Sequence, residues 1–413
     1  MTGHTKRQTC RVCGGTQLTK FLSLGPTPLA NAFLRSTDEF PAEQSYPLDV
    51  YRCEVCSLVQ LLDLIDPGTL FSHYIYVTGT SETVAEHNRT YSKTIVELLK
   101  LQPGNLVVEV ASNDGSLLKC FEPYGMRTLG IEPAENISEL ARSQGIETLT
   151  RFFNEATGRE VQETYGAAHV VIANNVLAHV DDTPDFLEGC KHVLKPDGLI
   201  VIEVPYLRDL LDRLEYDTIY HEHLCYFSVT TLMRLCDRVG LSIRRVEHVP
   251  LHGGSLRVYL GRQEVQGNHA DAVLDYAAAE TEAGFENMDR YERFAVDVAL
   301  NRQAIRRLLE KLKSDGKMVA GYGAPAKGNT LLNYCGIDTQ LVSFTVDQNP
   351  LKIGHYTPGT HLPVLPVEAL REREADFAFV LAWNFEEEIR RQQRDYAEAG
   401  GQFIIPIPEP RVV

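Results

Sequence analysis

The chain has 413 residues, 44% of them apolar and 23% charged, with a formal net charge of −16. Such a length exceeds one ordinary hydrophobic core and predicts two or three domains. The acidic balance, with basic residues scattered along the chain, excludes a surface for nucleic acid or an anionic membrane.

No apolar stretch follows Lys6 and Arg7, so no secretory signal is expected. The longest apolar runs, residues 199–204 and 377–383, are strand-length and too short for a bilayer. The expectation is a cytoplasmic protein, monomeric or a small homo-oligomer, without a membrane partner. In a reducing compartment, paired cysteines point to metal before disulfide. The pairs are Cys10-Arg11-Val12-Cys13-Gly14-Gly15 and Cys53-Glu54-Val55-Cys56-Ser57. Two intervening residues let both thiolates of a turn face one ion, and small residues after it let backbone N–H groups point at sulfur. Cys10, Cys13, Cys53 and Cys56 therefore predict a structural, tetrahedral zinc site. A redox pair lacks its strand–helix context, an iron–sulfur cluster shares the four-thiolate set, and a catalytic zinc needs an open position. Pro26, Pro28, Pro41 and Pro47 predict extended, turn-rich chain between the pairs. The following His73-Tyr74-Ile75-Tyr76-Val77 run reads as a packed hairpin or as a flap placing Tyr74 or Tyr76 over an active site.

Helical spacing of Val84, Tyr91, Ile95, Leu98 and Leu99 predicts a helix over 82–99. Residues 106–110 read as a buried parallel strand, opening into Ala111-Ser112-Asn113-Asp114-Gly115 and a helix start. A second strand, 127–131, ends in Glu132-Pro133, and an acid there suits the two hydroxyls of a ribose. A helix over 134–143 and short strand 147–149 precede strand 169–173, which ends in Asn174-Asn175. Helix 183–194 leads to strand 199–203. Helix 230–239 and strands 242–249 and 256–260 follow, the last two joined by His252-Gly253-Gly254 as an antiparallel hairpin. Between them lies Tyr220-His221-Glu222-His223-Leu224. Its two histidines are not four apart on one helix face, as a zinc-protease motif requires, and they share a face only on extended chain. Proton chemistry is the other reading: an imidazole abstracts a proton while a phenol or second imidazole meets a developing oxyanion.

This order of five parallel strands, helix and hairpin is similar to class I S-adenosylmethionine (SAM) methyltransferases. Their usual Gly-x-Gly-x-Gly turn is altered here, with Ala111, Asn113 and Gly115 in its place. A Rossmann dehydrogenase fits less well, because Asp114 stands where a pyrophosphate would lie and instead suits a cationic methionine end. The likeness implies SAM contacts from Glu109, Ser112, Asn113, Asp114, Gly115, Glu132, Pro133, Asn174 and Asn175.

With the four cysteines and the Tyr-His-Glu-His-Leu run included, the chain resembles the nucleotide-sugar C-methyltransferases nearly end to end. That family methylates C-3 of dTDP-4-keto-deoxysugars for antibiotic glycosides. The resemblance implies an α/β chain with a zinc-binding domain (1–72), a SAM-binding methyltransferase domain (73–268), linking helices (269–315) and a second Rossmann-like domain (316–413) helping to hold a dTDP-sugar. It implies His223 as the base that removes the C-3 proton, with Tyr220, Glu222, His179 and Tyr74 around the sugar and Tyr76 as a further contact. The C-4 ketone acidifies the neighbouring C–H, and the enolate takes the sulfonium methyl. A packed loop histidine is the alternative for His179.

Residues 269–315 are helical in composition, and a new sheet opens at Met318. Its first turn, Gly321-Tyr322-Gly323-Ala324-Pro325-Ala326-Lys327-Gly328-Asn329, loosely mimics a dinucleotide fingerprint with Asp347 at the next strand end (341–346). Strands over 376–381 and 403–405 complete the pattern. The turn reads as a diphosphate cradle contacted by Lys327 and Asn329, or as a structural turn with a solvated lysine. A non-catalytic nucleotide-binding zinc protein and an NAD-dependent oxidoreductase of nucleotide sugars are the alternatives in function.

Overall fold

A computed structural model describes residues 3–72, 82–250 and 253–413. Tyr74, Tyr76 and His252 lie outside the described residues.

The N-terminal module is an antiparallel sheet of Leu18–Thr27, Tyr46–Cys53 and Val59–Leu61. Alternation turns Leu48 and Val50 inward along the middle strand. The fourth strand of this sheet, Cys225–Tyr226, comes from the middle of the chain and pairs antiparallel with Val59–Leu61. The Tyr220–Ser228 stretch is thereby bound to the zinc module as a sheet edge.

The middle sheet has seven strands. Leu106–Val110 lies inside it, with Arg127–Ile131 and Thr148–Leu149 on one side. On the other side come Ala168–Asn174, Leu194–Pro205, Ser255–Arg262 and Leu241–Val249. All pairings are parallel except the two made by Ser255–Arg262. Strand order reverses between Leu106–Val110 and Ala168–Asn174, and a ligand crevice belongs at the carboxyl ends there.

The altered glycine turn keeps a glycine-like backbone. Ala111 has φ 54°, Asn113 φ 49° and Gly115 φ 75°. A Cβ on Gly115 would stand 2.9 Å from Ile146 Cγ1, so that glycine is also required by close packing. Asn tolerates the left-handed region better than Ala does. Ala111→Gly is therefore expected to raise stability by about 0.5–1 kcal/mol, read as a higher urea midpoint at unchanged m-value.

The C-terminal sheet runs Val364–Leu365, Thr345–Val346, Val319–Tyr322, Phe377–Val380, Gln402–Ile405 and Arg411–Val412, parallel except for the last pair. The strand expected over 341–346 is shortened to Thr345–Val346. The helices expected between the domains are Asp271–Glu282 and Met288–Ser314. The second does more than link. Its Phe294, Val298, Ile305 and Leu309 share one buried cluster with Leu22 and Val50 of the zinc module and Leu331 and Phe379 of the C-terminal module. Burying each such side chain is worth about 1.5–3 kcal/mol, so this helix binds the three modules into one body.

Candidate active site

A cavity of about 550 Å³ opens at the carboxyl ends of the middle sheet, with Asn31 and Phe71 of the N-terminal module and Lys327 and Lys352 of the C-terminal module in its wall. On the side of the altered turn, Glu109, Ser112, Asn113, Glu132, Pro133, Asn174 and Asn175 all line it. Asp114 and Gly115 do not. Asp114 is buried, and its Oδ1 accepts at 3.2 Å from the N–H of Ser116, the first residue of the short helix Ser116–Lys119. Both shape the turn that the cavity-lining residues Ser112 and Asn113 belong to.

Glu132 is held by Asn113 N at 3.0 Å and Ala134 N at 2.9 Å, which leaves lone pairs on a fixed carboxylate for hydroxyl donors. Among the described residues, Glu109 Oε2 and Ser112 Oγ are buried without a hydrogen-bond partner. Burial, then Asp114 and Glu132, pushes the Glu109 carboxyl well above its ordinary range. A buried orphan carboxylate beside two more acids fits a cationic ligand, and SAM carries ammonium and sulfonium.

A pH dependence follows. The folded pKa of Glu109 exceeds its unfolded value, so its contribution to stability is present below about 4.3 and is lost as pH rises through the elevated value. A bound cation reverses that preference. SAM affinity is expected to strengthen with rising pH, with proton release on binding, measured by calorimetry in buffers of different ionisation enthalpy. An affinity independent of pH, without proton release, would contradict the assignment.

The same cavity is lined by Tyr220, His223 and His179. His223 Nδ1 lies 2.7 Å from the Thr218 carbonyl oxygen, which can only accept, so Nδ1 carries the proton. In the neutral ring Nε2 is then the basic nitrogen, and the Tyr220 hydroxyl, 2.8 Å away, donates to it. The His179 ring stands 4.8 Å from that of His223 at 72°. Burial pushes the His179 pKa down to about 4, so this imidazole is neutral at physiological pH. Among the described residues its buried Nδ1 has no side-chain partner within hydrogen-bond geometry. His221 faces the other way, with Nε2 3.1 Å from the Pro47 carbonyl of the zinc module. Glu222 is 3% exposed and is not part of the cavity wall; its Oε1 accepts from Asn31 Nδ2 at 2.7 Å.

Among the described residues, Cys10, Cys13, Cys53 and Cys56 are the group that gathers as a metal site, with all four sulfurs within 4.8 Å of one another. Cys10–Cys56 and Cys13–Cys53 sulfurs are 3.3 and 3.5 Å apart, and Gly15 N points at Cys13 Sγ at 3.4 Å. Four converging thiols from two turns fit tetrahedral zinc with no position left open.

Three family models match the chain in succession: a zinc binding domain over 10–71, a methyltransferase domain over 84–246 and a C-methyltransferase C-terminal domain over 250–408. The C-methyltransferase NovU of Streptomyces niveus is 38% identical over 404 residues, spanning 98% of this chain and 96% of NovU. The chain belongs to the SAM-dependent C-methyltransferase family. A ubiquinone biosynthesis O-methyltransferase of Haemophilus ducreyi is 25% identical over 165 residues, 35% of this chain and 68% of that protein. Among solved structures, the PH0226 protein of Pyrococcus horikoshii OT3 aligns at 15% identity with a TM-score of 0.35, covering 48% of this chain and 98% of that one. This C-methyltransferase is thus an enzyme that takes SAM and holds zinc. Among its described residues, no helix is long and apolar enough to cross a membrane.

In this C-methyltransferase the C-terminal glycine turn is held by its own chain. Asp347 is fixed by the chain itself, its Oδ2 accepting from Ala324 N at 2.7 Å and its Oδ1 from Asn349 N at 2.8 Å. Gly328 serves packing, since a Cβ there would meet Leu381 Cβ at 2.7 Å. Lys327 does reach the cavity. Its Nζ lies 3.8 Å from the Trp383 ring centroid and 3.9 Å from Asp217 Oδ2, without a hydrogen-bond partner. Burial pushes its pKa down, while Asp217 and Glu215 hold it up. Asn329 does not line the cavity. Its Nδ2 donates to the Ala30 carbonyl at 2.7 Å, which grips the N-terminal module.

Several cavity residues escape sequence reasoning. His87 lies 3.4 Å from Glu203, which Arg257 also holds at 2.5 Å. Arg257 in turn stacks on Tyr91, whose hydroxyl donates to Asn174 Oδ1 at 3.3 Å. Lys352 and Asn31 belong to loops without a recognisable motif. For Glu203 a signal existed: it closes the strand expected over 199–203, as Glu132 follows the one over 127–131.

Proposed function

We propose that this enzyme methylates C-3 of a dTDP-4-keto-deoxysugar bearing an amino or hydroxyl group at that carbon. The observation that carries the reading is the basic nitrogen of His223, fixed in tautomer by the Thr218 carbonyl, inside the wall of the cavity that also fits SAM. An imidazole is too weak a base for an ordinary C–H, so its substrate must carry a carbonyl next to the reacting carbon.

His223 Nε2 takes the C-3 proton once the Tyr220 hydroxyl turns from it to the substrate. The electron pair left behind is shared with the C-4 oxygen as an enolate. His179, neutral at working pH, offers that oxygen a hydrogen bond without adding a charge. SAM, when bound, supplies an electrophilic methyl group for carbon. Asn174 and Asn175 lie at the strand end in the cavity wall, where they orient both ligands. Lys327, at the start of the helix Ala326–Cys335 and without a hydrogen-bond partner among the described residues, meets the diphosphate together with that helix's first N–H groups. Tyr74 and Tyr76 keep their place beside the sugar on the family resemblance alone. SAM and nucleotide sugars are cytoplasmic metabolites, and the reading places the enzyme with them.

The test is a mass-spectrometric screen of enzyme, SAM and a small panel of dTDP-4-keto-sugars. A mass gain of one methyl group is expected for members carrying a C-3 proton beside the ketone. Equal methylation of sugars reduced at C-4 would overturn the reading.

A further inference from the structure

Glu222 and Asn329 come from different modules, and neither lines the cavity, yet both grip one short loop of the zinc module. Asn329 Nδ2 donates to the Ala30 carbonyl at 2.7 Å, and Glu222 Oε1 accepts from the next residue's amide, Asn31 Nδ2, at 2.7 Å. The antiparallel bridge between Leu34 and Tyr356 fastens the same loop a few residues on. Asn31 itself stands in the cavity wall. The orientation of its amide follows from its partner. A carboxylate accepts only, so Nδ2 faces Glu222 and Oδ1 is left as an acceptor. No other side-chain hydrogen bond of Asn31 occurs among the described residues. Lys352, also in the wall, supports the charge on Glu222: burial lowers the lysine's pKa, and Asp347 and then Glu222 raise it.

We propose that Asn31 is a substrate-recognition residue, whose amide oxygen accepts a hydrogen bond from a hydroxyl or amino group of the sugar, and that Glu222 and Asn329 are positioning residues acting through it. The proposal rests on the sugar reading above and adds a requirement to it: the substrate must present a donor to the zinc module's loop. An apolar group at that point would leave the amide oxygen unpaired, which is how a polar site rejects an analogue lacking its donor.

The experiment compares kcat/KM for the parent 4-keto sugar and for analogues each lacking one hydroxyl or amino group. For wild type, one analogue is expected to be poorer by about tenfold or more, the cost of one unmade hydrogen bond. In Asn31→Ala that ratio should collapse toward one, mainly through KM. Asn329→Ala and Glu222→Gln should lower the same ratio, and adding either to Asn31→Ala should lower it no further. Bound zinc and SAM affinity report whether each variant is folded; if Asn31→Ala is not, Asn31→Ser replaces it in the comparison. Turnover with an unchanged ratio for every analogue would overturn the role of Asn31. Absence of wild-type turnover on every 4-keto sugar would overturn the sugar reading and this proposal with it.

Discussion

His223→Asn is expected to lower kcat by about a hundred- to ten-thousand-fold, the range for loss of a positioned general base. The asparagine amide can still donate to the Thr218 carbonyl, so the local backbone has no reason to rearrange. What disappears is the basic lone pair of Nε2, now 2.8 Å from the Tyr220 hydroxyl. SAM affinity should stay within about twofold, since the residues proposed to hold SAM do not include His223, and a twofold change is under 0.5 kcal/mol. Tyr220→Phe should cost less, since it removes the donor to Nε2 and leaves the base. Full turnover by His223→Asn would refute the assignment. Calorimetry with SAM and initial rates with the sugar separate the two effects.

Removal of zinc should have the second large effect. Binding of structural zinc is worth about 10–16 kcal/mol in zinc-finger peptides, and that free energy is folding free energy. Here it also reaches the reactive stretch. Leu61 N donates to the Leu224 carbonyl at 3.0 Å, and Leu224 N donates to the Ala178 carbonyl at 2.8 Å, beside His179. Arg11, inside the first cysteine turn and 1% exposed, holds Asp181 at 3.0 Å, two residues beyond His179. Thr231 Oγ1 and Arg234 Nη1 tie the helix Val229–Arg238 to the Cys56 and Val55 carbonyls at 3.5 and 3.1 Å. Loss of the metal therefore loosens His179 and His223 together, and a displacement of about 1 Å at reacting groups can cost a hundredfold. Chelator treatment or Cys53→Ser should lower kcat by about that factor or more, while SAM binding at the middle sheet changes far less. Readded zinc should restore the chelated enzyme. Full activity at zero bound zinc, read by a colorimetric zinc assay, would contradict the account.

Legibility in the sequence followed the range of the interactions. The four cysteines were legible because tetrahedral geometry demands short spacings. The strands Leu106–Val110 and Arg127–Ile131 were legible because buried parallel strands are continuous apolar runs. The cofactor turn was half hidden. Ala111 and Asn113 adopt a conformation that glycine usually marks, and only the backbone shows it. Strands of two residues, Val364–Leu365 and Arg411–Val412, have no alternation to read. The grip on Asn31 was invisible, because its partner Glu222 is 191 residues away in the chain. For the same reason Glu222 and Asn329 were expected to touch substrate. Their residue types were informative, and their depth behind the wall was not.

The central claim is that a carbon beside a ketone is deprotonated in this cavity and then methylated. The direct test uses SAM labelled with carbon-13 in its methyl group and a dTDP-4-keto-deoxysugar in deuterated water, followed by NMR of the product. The account predicts a labelled methyl bonded to C-3, with the C-3 hydrogen gone. Label on oxygen, or a product retaining its C-3 hydrogen, would contradict it.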